Sequence, residues 1–124
     1  MEQPKYSFNY SQDIVNLQTK YSLFKRVANI VFSITFKNGF DKSIMEQALQ
    51  LLIERNDCLR ITFVKEGKQT KQYFVPSRKL GKIPSWNLDT PKLLDSFVKN
   101  LRMSAVNVYK GETLVPHFVT GPSG

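Results

Sequence analysis

Between Ile30 and Val64 the apolar residues change period twice, which confines the chain to folds in which helices and strands alternate. Ile30, Phe32, Ile34 and Phe36 alternate with Val31, Ser33, Thr35 and Lys37, the pattern of a strand with one buried face. Asn38-Gly39 ends this run. That dipeptide usually turns a hairpin, but helical spacing follows it here. Ile44, Ala48, Leu51 and Leu52 form one stripe, flanked by Met45 and Leu49, and Asn56-Asp57 marks the end of the helix. Asp41 or Ser43 can cap its start; Ser43 with Glu46 three residues later fits a capping box. Alternation returns from Leu59 to Val64, with Ile61 and Phe63 on one face. Residues Lys65 to Lys68 make a turn, and Gln72 to Val75 read as the second arm of a hairpin.

The flanks extend this scheme. Residues 7–26 suggest a short strand followed by a helix, and Pro76 to Thr90, which holds the single tryptophan Trp86, reads as a loop. Thr90-Pro91 opens another helix. Thr is a good N-cap, and Pro at the first helical position gives up an N–H that would lack a partner anyway. Leu94, Phe97, Val98, Leu101 and Ala105 share a face, with Gly111 expected after the helix end. A last strand spans Leu114 to Val119, and residues 120–124 read as a turn or a vector-derived tail. The fold class expected is α+β, a mixed sheet with amphipathic helices over one face. At 124 residues the chain holds one domain with a modest core, and residues 1–124 are taken as a single unit.

Composition narrows the function classes. Hydrophobic residues make up 41% and charged residues 23%, ordinary values for a soluble globular protein. The net charge is +8, from 18 Lys+Arg against 10 Asp+Glu, which raises the prospect of a polyanionic partner. The basic residues are scattered, however (Lys20, Lys25, Lys37, Lys42, Lys65 and Lys79 among them), and no nucleic-acid-binding signature frames them. A dispersed solvated surface is expected, with a small basic binding module as the alternative to catalysis. The single cysteine, Cys58, excludes an internal disulfide and suits a reducing cytoplasm. The polar start lacks a signal-peptide core, and no run approaches the ~20 apolar residues of a membrane span, so a cytoplasmic protein without membrane contact is expected.

The chemistry-bearing residues are few. His117, the only histidine, lies in the strand-like Leu114–Val119 stretch without a paired histidine or a downstream Asp-Gly, and reads as a side chain without a catalytic role. Cys58 lies at a helix–strand junction and reads as an inert thiol. Glu46, Glu54 and Asp57 have no metal-ligand spacing, and no glycine-rich phosphate loop occurs. Catalytic, cofactor-binding and metal residues are accordingly all assigned as none. Arg60 stands out. An arginine between Leu59 and Ile61 in a strand needs a carboxylate, carbonyls or solvent, and ion pairing or hydrogen bonding that fixes the helix–strand junction is expected of it.

Several of these segments together carry a resemblance. Gly39-Phe40-Asp41 is followed by Met45-Glu46-Gln47-Ala48-Leu49-Gln50-Leu51-Leu52-Ile53, then by Arg55-Asn56-Asp57-Cys58-Leu59-Arg60-Ile61-Thr62-Phe63, with Gly67 and Gln72 in the hairpin beyond. This order resembles the opening of the condensation domains of nonribosomal peptide synthetases, which share the chloramphenicol-acetyltransferase-like fold. In that family a helix patterned AL-x-x-AL-x-x-L leads to R-H-E-x-L-R-T-x-F. Arg55, Asp57, Leu59, Arg60 and Phe63 are the positions that carry the motif here; Asn56-Asp57 replaces His-Glu, and Ile61 takes the usual Thr place. Tyr10-Ser11-Gln12 is similar to the family's S-x-x-Q opening, Trp86-Asn87-Leu88-Asp89 to its aromatic/Asp-Leu segment, and Gly111 to Val115 to its G-P-L-L segment. The resemblance implies the N-terminal portion of a two-lobed acyltransferase. Its H-H-x-x-x-D-G motif, with the second histidine as base or positioning group, would follow the last strand. It further implies a phosphopantetheine or CoA thioester as acyl donor, and as partners the remainder of the domain and an acyl or peptidyl carrier protein.

Overall fold

The computed structural model describes residues 3–21 and 30–121. Their order is β1 (Tyr6–Ser7), α1 (Tyr10–Tyr21), α2 (Lys42–Arg55), a 3-10 turn (Asp57–Arg60), β2 (Ile61–Glu66), β3 (Gln69–Phe74), β4 (Ser85–Asn87), α3 (Pro91–Met103), a second 3-10 turn (Val108–Lys110) and β5 (Phe118–Thr120). The α+β class stands. Instead of one mixed sheet, however, the strands form an antiparallel sheet β1-β3-β2 and a separate parallel pair β4-β5.

The hairpin is set by its turn. Glu66 faces Gln69 across a two-residue loop, and Gly67 takes φ +63 at the first loop position, where a left-handed residue matches the twist of the flanking strands. Just beyond the turn, Lys71 bonds to Glu66 at 3.0 Å and Lys5 lies 3.3 Å from the same carboxylate. Lys71 first, and Lys5 after it, hold the Glu66 carboxyl below its ordinary value. The stabilisation is therefore fully present above the pH at which a free glutamate ionises and is lost as pH falls through the depressed value. Urea midpoints measured down the acid limb should show Glu66→Gln below wild type near neutrality, with the difference closing as pH falls and part of the wild-type pH dependence gone.

Helices α2 and α3 start at side-chain caps. Asp41 accepts from the Ile44 N–H at 3.0 Å, so it is Asp41 and not the Ser43/Glu46 box that caps α2. Thr90 accepts from the Leu93 N–H at 3.3 Å, with Pro91 at the first position of α3. Helix α1 has a capping box that the sequence reading did not include: the Asn9 carbonyl Oδ1 accepts from the Gln12 N–H, and Gln12 Oε1 from the Asn9 N–H, both at 2.9 Å. The strand-then-helix reading of 7–26 holds as far as Tyr21; Leu23 and Phe24 fall outside the described residues.

Several expectations are corrected. The Ile30–Lys37 run carries no ladder, because no described strand lies beside it, and Ile30, Phe32 and Ile34 are 87%, 73% and 70% exposed. Asn38-Gly39 closes a turn in which the Gly39 N–H bonds to the Phe36 carbonyl at 3.4 Å. Helix α2 buries Ile53, with Leu49 and Met45 half-buried one and two turns before it, and leaves the expected stripe of Ile44, Ala48, Leu51 and Leu52 exposed. Leu59 and Arg60 lie in the 3-10 turn, and the strand begins at Ile61. The presumed loop 76–90 contains β4, held in register with β5 by the pairs Ser85–Phe118 and Asn87–Thr120. Helix α3 ends at Met103, short of Ala105, where the Ser104 N–H bonds to the Leu101 carbonyl; Gly111 ends the second 3-10 turn instead. The last strand is confined to Phe118–Thr120, so His117 sits just ahead of it.

The core is small. Among the described residues Ile53, Ile83 and Phe118 are its buried apolar members, and ring contacts extend it along Phe36–Phe40–Phe118 and Phe8–Phe63–Tyr109. Among the described residues no helix is long and apolar enough to cross a membrane, and no cluster of His, Cys, Asp and Glu is placed to hold a metal ion.

Candidate functional site

The junction where α2 passes into β2 gathers most of the long-range polar bonding. The five motif positions stand together here. Arg55 ends α2 and is exposed, Asp57 opens the 3-10 turn, Leu59 is half-buried, Arg60 closes the turn, and Phe63 packs its ring 4.7 Å from Phe8. The Arg60 guanidinium reaches back over the end of α2. Its Nη1 donates to the carbonyls of Ile53 (2.8 Å) and Glu54 (2.5 Å), its Nε to Val75 O (3.0 Å), and its Nη2 to Asp57 Oδ1. The last carbonyls of a helix lack intrahelical donors and carry partial negative charge, so a cation there satisfies both needs. The Val75 N–H returns a bond to the Arg60 carbonyl at 3.0 Å, tying the turn to the strand after the hairpin.

A second guanidinium lies on the other side of the same backbone. Arg78 Nη1 donates to the carbonyls of Leu59 (2.9 Å) and Gly111 (2.5 Å) and lies 3.3 Å from Thr113 Oγ1. Its Nη2 donates to Ile61 O (3.2 Å) and Thr62 Oγ1 (2.6 Å). Thr113 Oγ1 also donates to Leu59 O at 2.7 Å. Burial pulls the Arg78 guanidinium below its ordinary value; Tyr73 opposes this and the like charge of Arg60 adds to it. An arginine keeps its charge in a protein regardless, so the cation persists. Gln50 of α2 fixes the loop carrying Arg78: its Nε2 donates to Arg78 O at 3.0 Å and its Oε1 accepts from the Leu80 N–H at 2.8 Å.

Sequence reasoning passed over Arg78 and Gln50. Arg78 is one basic residue among several in a stretch read as loop, and nothing in its spacing marks it. Gln12 and Gln72 were noted, and the structure brings them together. Gln12 Nε2 donates to Gln72 Oε1 at 2.7 Å, and Gln72 Nε2 donates to Gln12 Oε1 at 3.0 Å and to Ser7 O at 3.2 Å. This reciprocal pair satisfies a buried amide and fastens α1 and β1 to β3. His117 is likewise engaged: its Nδ1 accepts from Trp86 Nε1 at 3.1 Å, and its ring stacks edge-on to Phe97 at 5.6 Å. Cys58 is exposed.

Chemically, the arrangement is a clamp. Each guanidinium spends its donors on backbone carbonyls and neighbouring side chains, and neither presents a free fork to a carboxylate or phosphate. The nearest depression, about 250 Å³ and lined by Ser43, Glu46, Gln47, Gln50, Leu80 and Gly81, is shallow and open.

No protein-family model matches the chain, and no curated protein matches it. Solved structures do. The condensation domain of Monacolin K polyketide synthase MokA superposes with a TM-score of 0.69 at 17% identity, covering 95% of this chain and 27% of that one. A mutant starter condensation domain of rhizomide synthetase RzmA in complex with C8-CoA gives 0.68 at 17% identity, covering 87% and 26%. The chain has the fold of the N-terminal part of a condensation domain. It spans about a quarter of the length of those domains. Within this condensation fold the guanidinium clamp joins α2 to the sheet through the motif segment Arg55–Phe63.

Proposed function

We propose that this chain is the N-terminal part of a condensation-type acyltransferase that in full joins a carrier-bound acyl thioester to an amine or alcohol. The observation that carries the reading is the superposition on condensation domains over nearly the whole of this chain and a quarter of theirs. The donor would be a phosphopantetheine or CoA thioester, in keeping with the C8-CoA held by the RzmA domain. The partners would be the remainder of the domain and an acyl or peptidyl carrier protein. The part present here supplies architecture. Its one histidine is bonded to Trp86, and no second histidine stands beside it to form H-H-x-x-x-D-G. A basic module binding nucleic acid finds no support in the clamp, where Arg60 and Arg78 are turned inward to carbonyls.

The test has two arms. The chain alone, given an eight-carbon acyl thioester and an amine, should form no amide above the blank. The coding sequence past Gly124 should supply H-H-x-x-x-D-G, and the extended protein should form the amide and lose it when the second histidine is changed to alanine. Amide formed by the 124-residue chain alone would overturn the reading, as would a downstream sequence without the motif.

A further inference from the structure

We propose that Trp86 and His117 form a proton-operated latch: the neutral imidazole holds β4 to the segment entering β5, and its protonation loosens that junction. The inference does not rest on the acyltransferase reading, since it concerns one bond within the described fold. Trp86 Nε1 donates to His117 Nδ1 at 3.1 Å. An indole N–H can only donate, so Nδ1 offers the lone pair and the proton of the neutral ring lies on Nε2. A second proton occupies that lone pair. The imidazolium then sets donor against donor, and the bond is lost. Imidazole is the side chain whose ordinary titration falls between about pH 5 and 8, so the change is reached under mild conditions.

The surroundings couple this bond to the strand pair. Trp86 stands opposite Val119 in the parallel register, and His117 lies two residues before Val119, so alternation puts its ring on the Trp86 face. Phe97 of α3 completes the group, its ring 5.3 Å from Trp86 and 5.6 Å from His117. Ser85 and Phe118 belong to the other face, where Lys42 Nζ lies 3.1 Å from Ser85 Oγ and Phe40 packs against Phe118. No neighbouring charge is placed to replace the lost bond. β4 and β5 themselves have no titratable side chain. On α3, Lys92, Asp95, Lys99 and Arg102 lie roughly 140–160° around the helix axis from Phe97. Glu112 accepts from the Asn107 N–H at 2.6 Å, and among the described residues neither Asp89 nor any other carboxylate pairs with His117. A parallel pair only three residues long is weak by its ladder alone. The bonds at its two ends, Phe118 N–H to Pro84 O and Leu88 N–H to Thr120 O, both 2.9 Å, are those the latch protects.

The chain has one histidine and one tryptophan, so proton NMR reads the two partners separately. Between about pH 8 and pH 5 the imidazole C–H resonances report protonation, and the single indole N–H resonance should move upfield with them as its acceptor is lost. Over the same range, amide exchange corrected for its intrinsic pH dependence should show the protection of Leu88 and Phe118 falling roughly two- to tenfold, the effect of one ordinary hydrogen bond. Protection within β2 and β3 should stay constant, which separates local release from unfolding. His117→Asn, whose Oδ1 takes the place of Nδ1 and does not titrate, should keep the indole resonance downfield and the protection high at both ends of the range. His117→Leu should show the released values at both ends. An indole resonance that stays in place while the imidazole titrates would overturn the proposal. So would constant protection at Leu88 and Phe118, or a His117→Asn variant that responds to pH as the wild type does. Any of these results would leave the acyltransferase reading intact.

Discussion

Replacing Arg78 with alanine is expected to lower the free energy of unfolding by about 3 kcal/mol, read as a fall in the urea midpoint with an unchanged slope. The figure follows from what the guanidinium leaves behind. It serves the carbonyls of Leu59, Ile61 and Gly111 and the hydroxyls of Thr62 and Thr113. Leu59 O keeps a second donor in Thr113 Oγ1, so its loss is partial. Thr62, by contrast, is 7% exposed, and Arg78 is the one donor its hydroxyl has in this network, whereas the Gly111 carbonyl keeps the Thr113 N–H at 2.9 Å. A bond to a charged donor contributes about 1.5–3 kcal/mol, and an acceptor stranded in the interior costs about 1–3 kcal/mol, so the stranded Thr62 hydroxyl and the partial losses at the carbonyls together set the scale. Arg78→Lys should recover less than half of the loss, because one ammonium cannot span acceptors arranged around a planar fork. Arg60→Ala should cost less, about 1–2 kcal/mol, since the carbonyls of Ile53 and Glu54 can turn to water at the end of α2. An unchanged midpoint for Arg78→Ala would show that the loop is held by Gln50 and packing alone.

What the sequence discloses and what it hides divide along the range of the interactions. Local signals were legible. Thr90-Pro91, Asp41 and Asn56-Asp57 mark helix ends through bonds that span three or four residues, and Gly67 marks the hairpin through its own backbone conformation. Faces were less legible. The stripe Ile44, Ala48, Leu51 and Leu52 is as good a pattern as Met45, Leu49 and Ile53, and periodicity cannot say which one is buried when both are apolar. The Ile30–Phe36 run shows the same limit from the other side: its alternation specifies a strand, but a strand exists only where a neighbour supplies the ladder.

At the candidate site the same division holds. Arg60 could be singled out because an arginine within an apolar alternation requires a partner, and its place beside Asp57 supplied one nearby. Its actual burden, the carbonyls of Ile53, Glu54 and Val75, depends on the turn being 3-10 and not strand, since only that geometry swings the side chain back over α2. Arg78 and Gly111 lie 33 residues apart and meet through the fold, so no spacing rule connects them.

Their meeting supports the second large prediction. Gly111 adopts φ +79, a left-handed conformation that costs a residue with a Cβ roughly 1–2 kcal/mol. A Cβ at this position would also fall on the Arg78 guanidinium, inside contact distance of Cζ and Nη2. Gly111→Ala should therefore lose about 2–4 kcal/mol, the backbone strain together with part of the Arg78 network, because the guanidinium has to withdraw from the carbonyl it is bonded to. The two contributions separate in a double-mutant cycle. With Arg78→Ala already made, the space in front of Gly111 is empty, and Gly111→Ala should then cost only the backbone strain of roughly 1–2 kcal/mol. The double mutant should thus be more stable than the sum of the single losses by about 1–2 kcal/mol, measured from four urea curves. Strict additivity would mean that the Arg78 side chain moves aside at no cost, and the clamp would then be a consequence of the fold around it and not one of its causes.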